Sequence, residues 1–487
     1  MTTLRPRAAS APEPSPDELR RRARAAWIDA PERDPTPLRR LAGALPASLR
    51  GTLYRNGPSR FRVGEDALHP FDGDGQLRRF TLGDGGITFS ARFVATRERA
   101  AEDAAGRLLH RGLGTPAPGG PLANAFRVRF RNAANTGVLP RGDRVWALWE
   151  GGWPHVLDAA SLETLGRSDL GGVLRNRSPL ESWIAPELPL AAHTRRDPRE
   201  GVTYGFGLAR GLRPRLCLYA LDPTPRLLRE VPVAGLPFVH DFALTERFFV
   251  FLLPAVHFDL ARALAGTLSP LDAMSSREGE PMRLLLVPRD GGPARTVGAT
   301  RGFAFHLAQA FEEGGELVVD AFVSDRMMNV GDDEALFGPE ADAVLAWPTR
   351  LRVDLESGAV RARRLSDHAG ELPAVAPGWG ARRVVYYASA PRRRKSPFLS
   401  AVARLDVEAG RTHALELYPW IVGEPIVVPR SDAPGDDWLL VVRTWPERDR
   451  AELLVIDGPS LALQGRWALP HALPPGFHGA WVGAPAR

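Results

Sequence analysis

The stretch PFVHDFALTERFFVFLL, residues 237–253, does most to limit what this chain can fold into. Its last six residues, FFVFLL, are apolar at every position, which reads as a strand covered on both faces. His240 stands at the mouth of that run. In an extended strand alternate side chains share a face, so His240 and Phe242 point one way while Val239 and Asp241 point the other. A lone histidine beside an apolar run is ordinarily a hydrogen-bonded core residue. This one has company: His193 in LAAHTRRDPREGVTYGFG, His306 in RGFAFHLAQAFEEGGELVVDAF and His478 in LPPGFHGAW sit in comparably apolar or glycine-marked settings. The four lie too far apart for a zinc finger or a helical HExxH site, whose ligands are near neighbours. Their spacing suits a metal held on an axis by one side chain from each of several sheets, the arrangement a β-propeller offers. Imidazole accepts iron, copper, nickel or zinc, so the histidines alone do not choose the metal.

The chain is 487 residues long, a length that closed all-β architectures reach as one unit. Runs such as ELVVDAFV, ARRVVYYAS, WLLVVRTW and AELLVIDG recur between Gly, Pro and Asp, the pattern of many short strands. Asp290-Gly291 and Asp457-Gly458 are hairpin-type turn signals. No repeat of the WD40 kind recurs, so the pattern by itself does not establish a propeller. Residues 1–14, rich in Ala, Pro and Arg, read as a disordered tail, and 15–487 as a single domain. A helix is expected after Ser15-Pro16-Asp17-Glu18, with Leu19, Ala23 and Trp27 against the body. Asp72-Gly73-Asp74-Gly75 hints at a calcium loop, but the remaining ligand positions are not filled in register, and a paired turn is the expectation.

Against 63 basic residues stand 57 acidic ones, with most Arg interleaved among Asp and Glu. The densest run, RRRK at 392–395, lies between Pro391 and Pro397 and reads as a solvated loop, so nucleic acid is not an expected partner. The single cysteine, Cys217 in RLCLYAL, excludes an internal disulfide and any CxxC site. The amino terminus has no continuous apolar region and no segment approaches the ~20 apolar residues that span a bilayer, which makes a cytoplasmic location the expectation.

Nine short motifs in order resemble the carotenoid cleavage oxygenases, the family that also holds bacterial stilbene-cleaving dioxygenases and the retinal pigment epithelium isomerohydrolase. YRNGPSRF (54–61) and HPFDGDGQLRRF (69–80) resemble its amino-terminal signature. AHTRRDP, FVHDFALTERFFVF, FHLAQAFEEGGELVVD and GFHGAW resemble its four iron-histidine motifs, which implies that His193, His240, His306 and His478 are ligands of Fe(2+). NTGVLPRGDRVWALWEGGWP, GELPAVAPGWGARRVVYYAS and GEPIVVPR resemble the segments that supply its outer glutamates, here Glu150, Glu371 and Glu424. Family precedent pairs such glutamates with three of the four histidines and leaves the counterpart of His193 unpaired. The resemblance implies an all-β, seven-bladed β-propeller with a helical and loop dome over one face. It also implies insertion of dioxygen across a conjugated double bond of an apolar polyene, yielding two carbonyl products.

Long inserts at 175–190, 254–282 and 327–347 would build the dome and wall a substrate tunnel. The second insert has helical spacing in Phe258, Ala261 and Leu264, which fits peripheral membrane contact and burial in the dome equally. Trp149, Phe303, Phe305, Phe477 and Trp481 flank the motifs as candidates to line the tunnel; the plain alternative for each is propeller core. His69, His155, His257 and His471 fall off the ligand positions and read as structural, and Gln309 departs from the asparagine common in the third motif. Stilbene-cleaving members grip a phenol oxygen with a lysine just before the first glutamate and a tyrosine upstream. Trp149 and Ala100 stand there instead, favouring a carotenoid or apocarotenoid over a stilbene. Cleavage of a stilbene or phenylpropanoid, or an inert propeller that binds an apolar ligand, are the rival readings.

Overall fold

The apolar run at 248–253 lies where two cores meet. In a computed structural model of the chain, Phe248, Val250 and Leu252 enter one cluster with Leu284, Leu286 and Val319. Phe249, Phe251 and Leu253 enter the next, with Phe206, Leu218 and Val287. Alternation survives, but both faces are cores, because the sheet that carries this strand is stacked between two others. The structure describes residues 15–484 apart from 127–129, 179–180, 183–185, 211–212, 278, 329–343, 379–382 and 391–397. The tail 1–14, the basic run 392–395 and most of the insert 327–347 therefore lie outside the described residues.

Seven antiparallel sheets of at least four strands follow one another round an axis, the seven-bladed β-propeller. Their inner strands, in ring order, are Gly479–Gly483, Gly137–Arg141, Thr194–Arg196, Phe242–Leu244, Phe303–Glu313, Gly370–Ala374 and Ile426–Pro429. The ring is closed from both termini. The last strand, Gly479–Gly483, pairs with Gly51–Pro58 as the innermost member of the first blade, while Arg39–Gly43 adds to the outer edge of the seventh.

The helix expected after Ser15 is present as Pro16–Ala26, with the Ser15 side chain accepting from the Glu18 amide. Leu19 and Ala23 pack on Met328, Val344 and Phe398. Residues 72–75 are not a paired turn: a 3-10 helix, Pro70–Asp72, leads into the strand Gly75–Gly83. Neither carboxylate is free for calcium, since Asp72 accepts from the amides of Leu113, Gly114 and Thr115, and Asp74 is paired with Arg131 and Arg60. In the insert after Leu253, a ribbon of Val256–Phe258 and Met274–Ser276 carries a short helix, Leu260–Leu264. Phe258 thus sits on a strand, and the helix buries Ala263 rather than Ala261. No helix among the described residues is long and apolar enough to cross a membrane.

Candidate metal centre

At one end of the propeller, the residues within three positions of each inner-strand start face the axis. They are His193, His240, His306 and His478 on four blades, Glu371 and Glu424 on two more, and Thr136 on the seventh. Two register shifts flank His306, between Ala304 and Leu307 and between Leu307 and Gln309. Such bulges re-aim a side chain that regular pleating would send into the wall. Beyond Glu371 the strand shifts register again, and Leu372 holds φ +59, a backbone conformation uncommon for leucine. Gly479 is required beside His478, because a Cβ there would meet Arg55 Cδ at 2.6 Å and the Tyr54 carbonyl oxygen at 2.7 Å.

The four imidazoles converge through Nε2. His193 and His240 approach to 3.1 Å, His240 and His306 to 3.2 Å, and His306 and His478 to 3.4 Å, and one nitrogen from each lies within 4.8 Å of all the others. Their outer nitrogens meet carboxylates. His306 Nδ1 donates to Glu371 Oε2 at 2.5 Å and His478 Nδ1 to Glu424 Oε1 at 3.0 Å. Glu150 Oε1 lies 3.1 Å from His240 Nδ1, close but out of line for a hydrogen bond. With the proton on Nδ1, four Nε2 lone pairs point at one spot, a repulsive arrangement that a cation relieves. Metal–imidazole bonds of about 2.0–2.1 Å put neighbouring ligand nitrogens about 3 Å apart, so the observed spacing fits a first-row metal ion.

Charge at the site follows burial and these partners. Burial and then the three neighbouring imidazoles hold His193 well below the usual histidine range. Burial also pulls on His306, but the Glu371 carboxylate outweighs it and raises the pKa. For Glu424, burial pushes upward while His478 and Arg55 prevail and lower it. Arg55 NH1 reaches Glu424 Oε2 at 2.8 Å, so this glutamate is shared between an imidazole and a guanidinium.

None of the three glutamates is the partner of His193 among the described residues. Its Nδ1 lies 3.4 Å from Asp241 Oδ1. Asp241 is buried and takes Arg195 NH2 on both oxygens at 2.8 Å, the Phe242 amide on Oδ1 and the Leu307 amide on Oδ2. One carboxylate therefore ties together residues flanking three of the four histidines. Alternation along the strand places Asp241 away from His240, but only the neighbouring blades show that the other side is occupied by His193 and Arg195.

A cavity of about 260 Å³ opens on His240, His306 and His478. Trp149, Phe305 and Phe477 line it, joined by Phe71, Phe238 and Leu271, which sequence reasoning passed over. Phe238 stacks on His240 with its centroid 6.2 Å away. Phe303 and Trp481 are not on that wall. Phe303 is buried behind Phe238 and Phe305, and Trp481 packs in the core between the first and last blades with Leu53 and Phe80. Gln309 turns from the cavity and donates to Asp320 at 2.7 Å. His69, His155, His257 and His471 lie outside the group. A roomier depression of about 440 Å³, lined by Asp66, Asn124 and Ser269, contains none of the four histidines.

Fold and site together define a β-propeller with a four-histidine group on its axis that suits a metal ion, facing an apolar cavity. Residues 29–483 match the family described as retinal pigment epithelial membrane protein, and the chain belongs to that family, the carotenoid cleavage oxygenases. It is 34% identical to the apocarotenoid-15,15'-oxygenase of Synechocystis over 90% of this chain and 92% of that one. Identity is 30% to the chloroplastic carotenoid cleavage dioxygenase 7 of rice, Oryza sativa, over 92% of this chain and 88% of that one. The cobalt-substituted structure of the Synechocystis enzyme superposes with a TM-score of 0.86 at 31% identity, covering 96% of this chain and 99% of that one.

Proposed function

We propose that this protein is an iron(II)-dependent dioxygenase that cleaves a conjugated carbon–carbon double bond of a carotenoid or apocarotenoid to two carbonyl products. The observation that carries the reading is the convergence of four Nε2 atoms at the floor of an apolar cavity. His193, His240, His306 and His478 would hold Fe(2+), which supplies the binding and activation of dioxygen. Glu371 and Glu424 accept from the outer nitrogens of His306 and His478 and fix the tautomer that leaves Nε2 unprotonated, and Glu150 beside His240 joins them in offsetting the charge of the ion. Trp149, Phe238, Phe305 and Phe477 exclude water and hold a flat polyene beside the axis, so the depth of entry selects the bond.

Support for the polyene branch comes from Trp149 on the cavity wall and from composition: the only lysine in the chain is Lys395, so no lysine can grip a phenol at position 149. A buried stilbene hydroxyl without a partner costs roughly 1–3 kcal/mol. After anaerobic loading with iron, a long apocarotenal is expected to be cleaved at least about tenfold better in kcat/KM than resveratrol. Faster stilbene cleavage reverses the branch, and no cleavage of either with iron bound leaves a ligand-binding propeller.

Peripheral membrane contact belongs to the same reading. Leu122, Phe126 and Leu260 are exposed at 96%, 78% and 49%, and the Phe126 amide donates to the Leu264 carbonyl, which brings the segment carrying Leu122 and Phe126 against the helix that begins at Leu260. Flotation with phospholipid vesicles that is unchanged by L122D together with F126D would remove the membrane from the account.

A further inference from the structure

The first blade carries a buried pair of like charges. Arg55 and Arg78 face each other directly across neighbouring strands, and Arg55 in turn faces Gly479. Their side chains therefore lie side by side on one face of the sheet, an arrangement that costs stability unless anions compensate. Among the described residues one carboxylate serves the two. Arg55 has Glu424 at 2.8 Å. Among the described residues Arg78 forms no ion pair. Its partners are neutral: Ser59 Oγ at 2.6 Å, and Pro58 O, Pro474 O and Gln76 Oε1 each at 3.4 Å. Burial, with Arg55 beside it, pulls the Arg78 guanidinium down to about 9.

This cation is also on the cavity wall. Arg78 lines the same cavity as the histidines, on a stretch of wall that includes Pro474 and Gly476. Gly476 lies against it: a Cβ at that position would stand 3.2 Å from Arg78 NH1. NH1 commits one hydrogen to Pro474 at the long distance of 3.4 Å, which leaves its second hydrogen for a ligand. Two strand spacings separate Gly479 from Arg78, so the guanidinium's backbone is about 10 Å from the strand that follows His478.

We propose that Arg78 forms an oxyanion subsite that takes the carboxylate end of an apolar polyenoic acid, whose double bonds then run toward the histidines. The assignment rests on the polyene reading above and adds the chemical class of the end group. A carboxylate supplies the missing charge and is a stronger acceptor than an alcohol or a carbonyl. Thr444, also on the wall, has its hydroxyl engaged, accepting from the Leu473 amide and donating to the Arg450 carbonyl, and does not compete for the charge.

Trp27 and Trp149 lie on the cavity wall, so binding is read by quenching of tryptophan fluorescence. The metal-loaded protein is titrated with all-trans-retinoic acid and with all-trans-retinol, then again after the metal is removed. The acid is expected to bind at least about tenfold more tightly in both forms, Arg78→Leu to abolish that preference, and Arg78→Lys to retain it. If Arg78→Leu does not fold, Arg78→Gln is the uncharged variant. Equal binding of acid and alcohol, a preference that survives Arg78→Leu or Arg78→Gln, or one that disappears with the metal overturns the subsite. In those cases turnover of an apocarotenal by the iron-loaded protein leaves the proposed function standing; binding of neither probe without such turnover sinks both.

Discussion

Asp241→Asn changes one oxygen to an amide and keeps the shape, so its effects report the carboxylate alone. Asp241 holds four short contacts: two from Arg195 NH2, one from the Phe242 amide and one from the Leu307 amide. Asparagine keeps one acceptor oxygen, and its NH2 must then face Arg195 or the Leu307 N–H, donor against donor. Charge-assisted hydrogen bonds are worth about 1.5–3 kcal/mol each. The Arg195 side chain is 31% exposed, so water recovers part of the loss, and about 2–4 kcal/mol remains. The second consequence is specific to the site. Asp241 links residues adjacent to His240 and His306 to Arg195, two positions from His193, so loosening it should weaken metal retention by about 10–100-fold. Urea unfolding of the metal-free protein and chelator competition with Co(2+) or Fe(2+) measure the two effects. Asp197→Asn is the control, being equally buried and paired with Arg289 at 2.7 Å but outside the histidine group. Loss of stability in both variants with unchanged metal affinity in Asp241→Asn would refute the positioning argument.

His306→Ala should abolish metal retention, whereas Glu424→Gln should reduce it about 10–100-fold, with Glu313→Gln unchanged; equilibrium dialysis ranks the three, and parity of the first with the last removes His306 from the ligands. His155 is buried, neither ring nitrogen has a hydrogen-bond partner among the described residues, and burial, reinforced by Arg167, lowers it to about 4. The unfolded chain, with a histidine near 6.5, takes up the proton first as pH falls, so this residue's stabilisation is complete above about 6.5 and is lost toward 4, about 3 kcal/mol in all. Urea midpoints of His155→Leu should fall less steeply over that window than those of the unaltered protein; identical slopes would place the titration elsewhere.

The four histidine motifs and the doubly covered strand were legible because each is a local pattern: FFVFLL needs only its own composition to announce two covered faces. Legibility ended where register decides. Phe303 and Phe305 look equivalent in GFAFH, yet only Phe305 reaches the cavity. The bulges around His306 break the alternation from which a side would be inferred. Trp481 lies three residues after His478, but its strand is the closing one and sends the indole into the core between the first and last blades. Asp241 and Arg78 were invisible for a different reason. HDF and LRRF carry nothing that marks one carboxylate or one arginine among many, and their meaning comes from residues more than 20 positions away.

His478 immediately precedes the strand that seals the ring. Three of the imidazoles belong to blades built from consecutive stretches of chain, whereas the fourth stands at a strand that reaches its place only by docking on Gly51–Pro58. The fourth imidazole is thereby tied to the closing strand: without Gly479–Gly483 docked, the ring lacks both its seal and the support that places His478. Sealing the propeller and completing the set of four imidazoles are therefore one structural event.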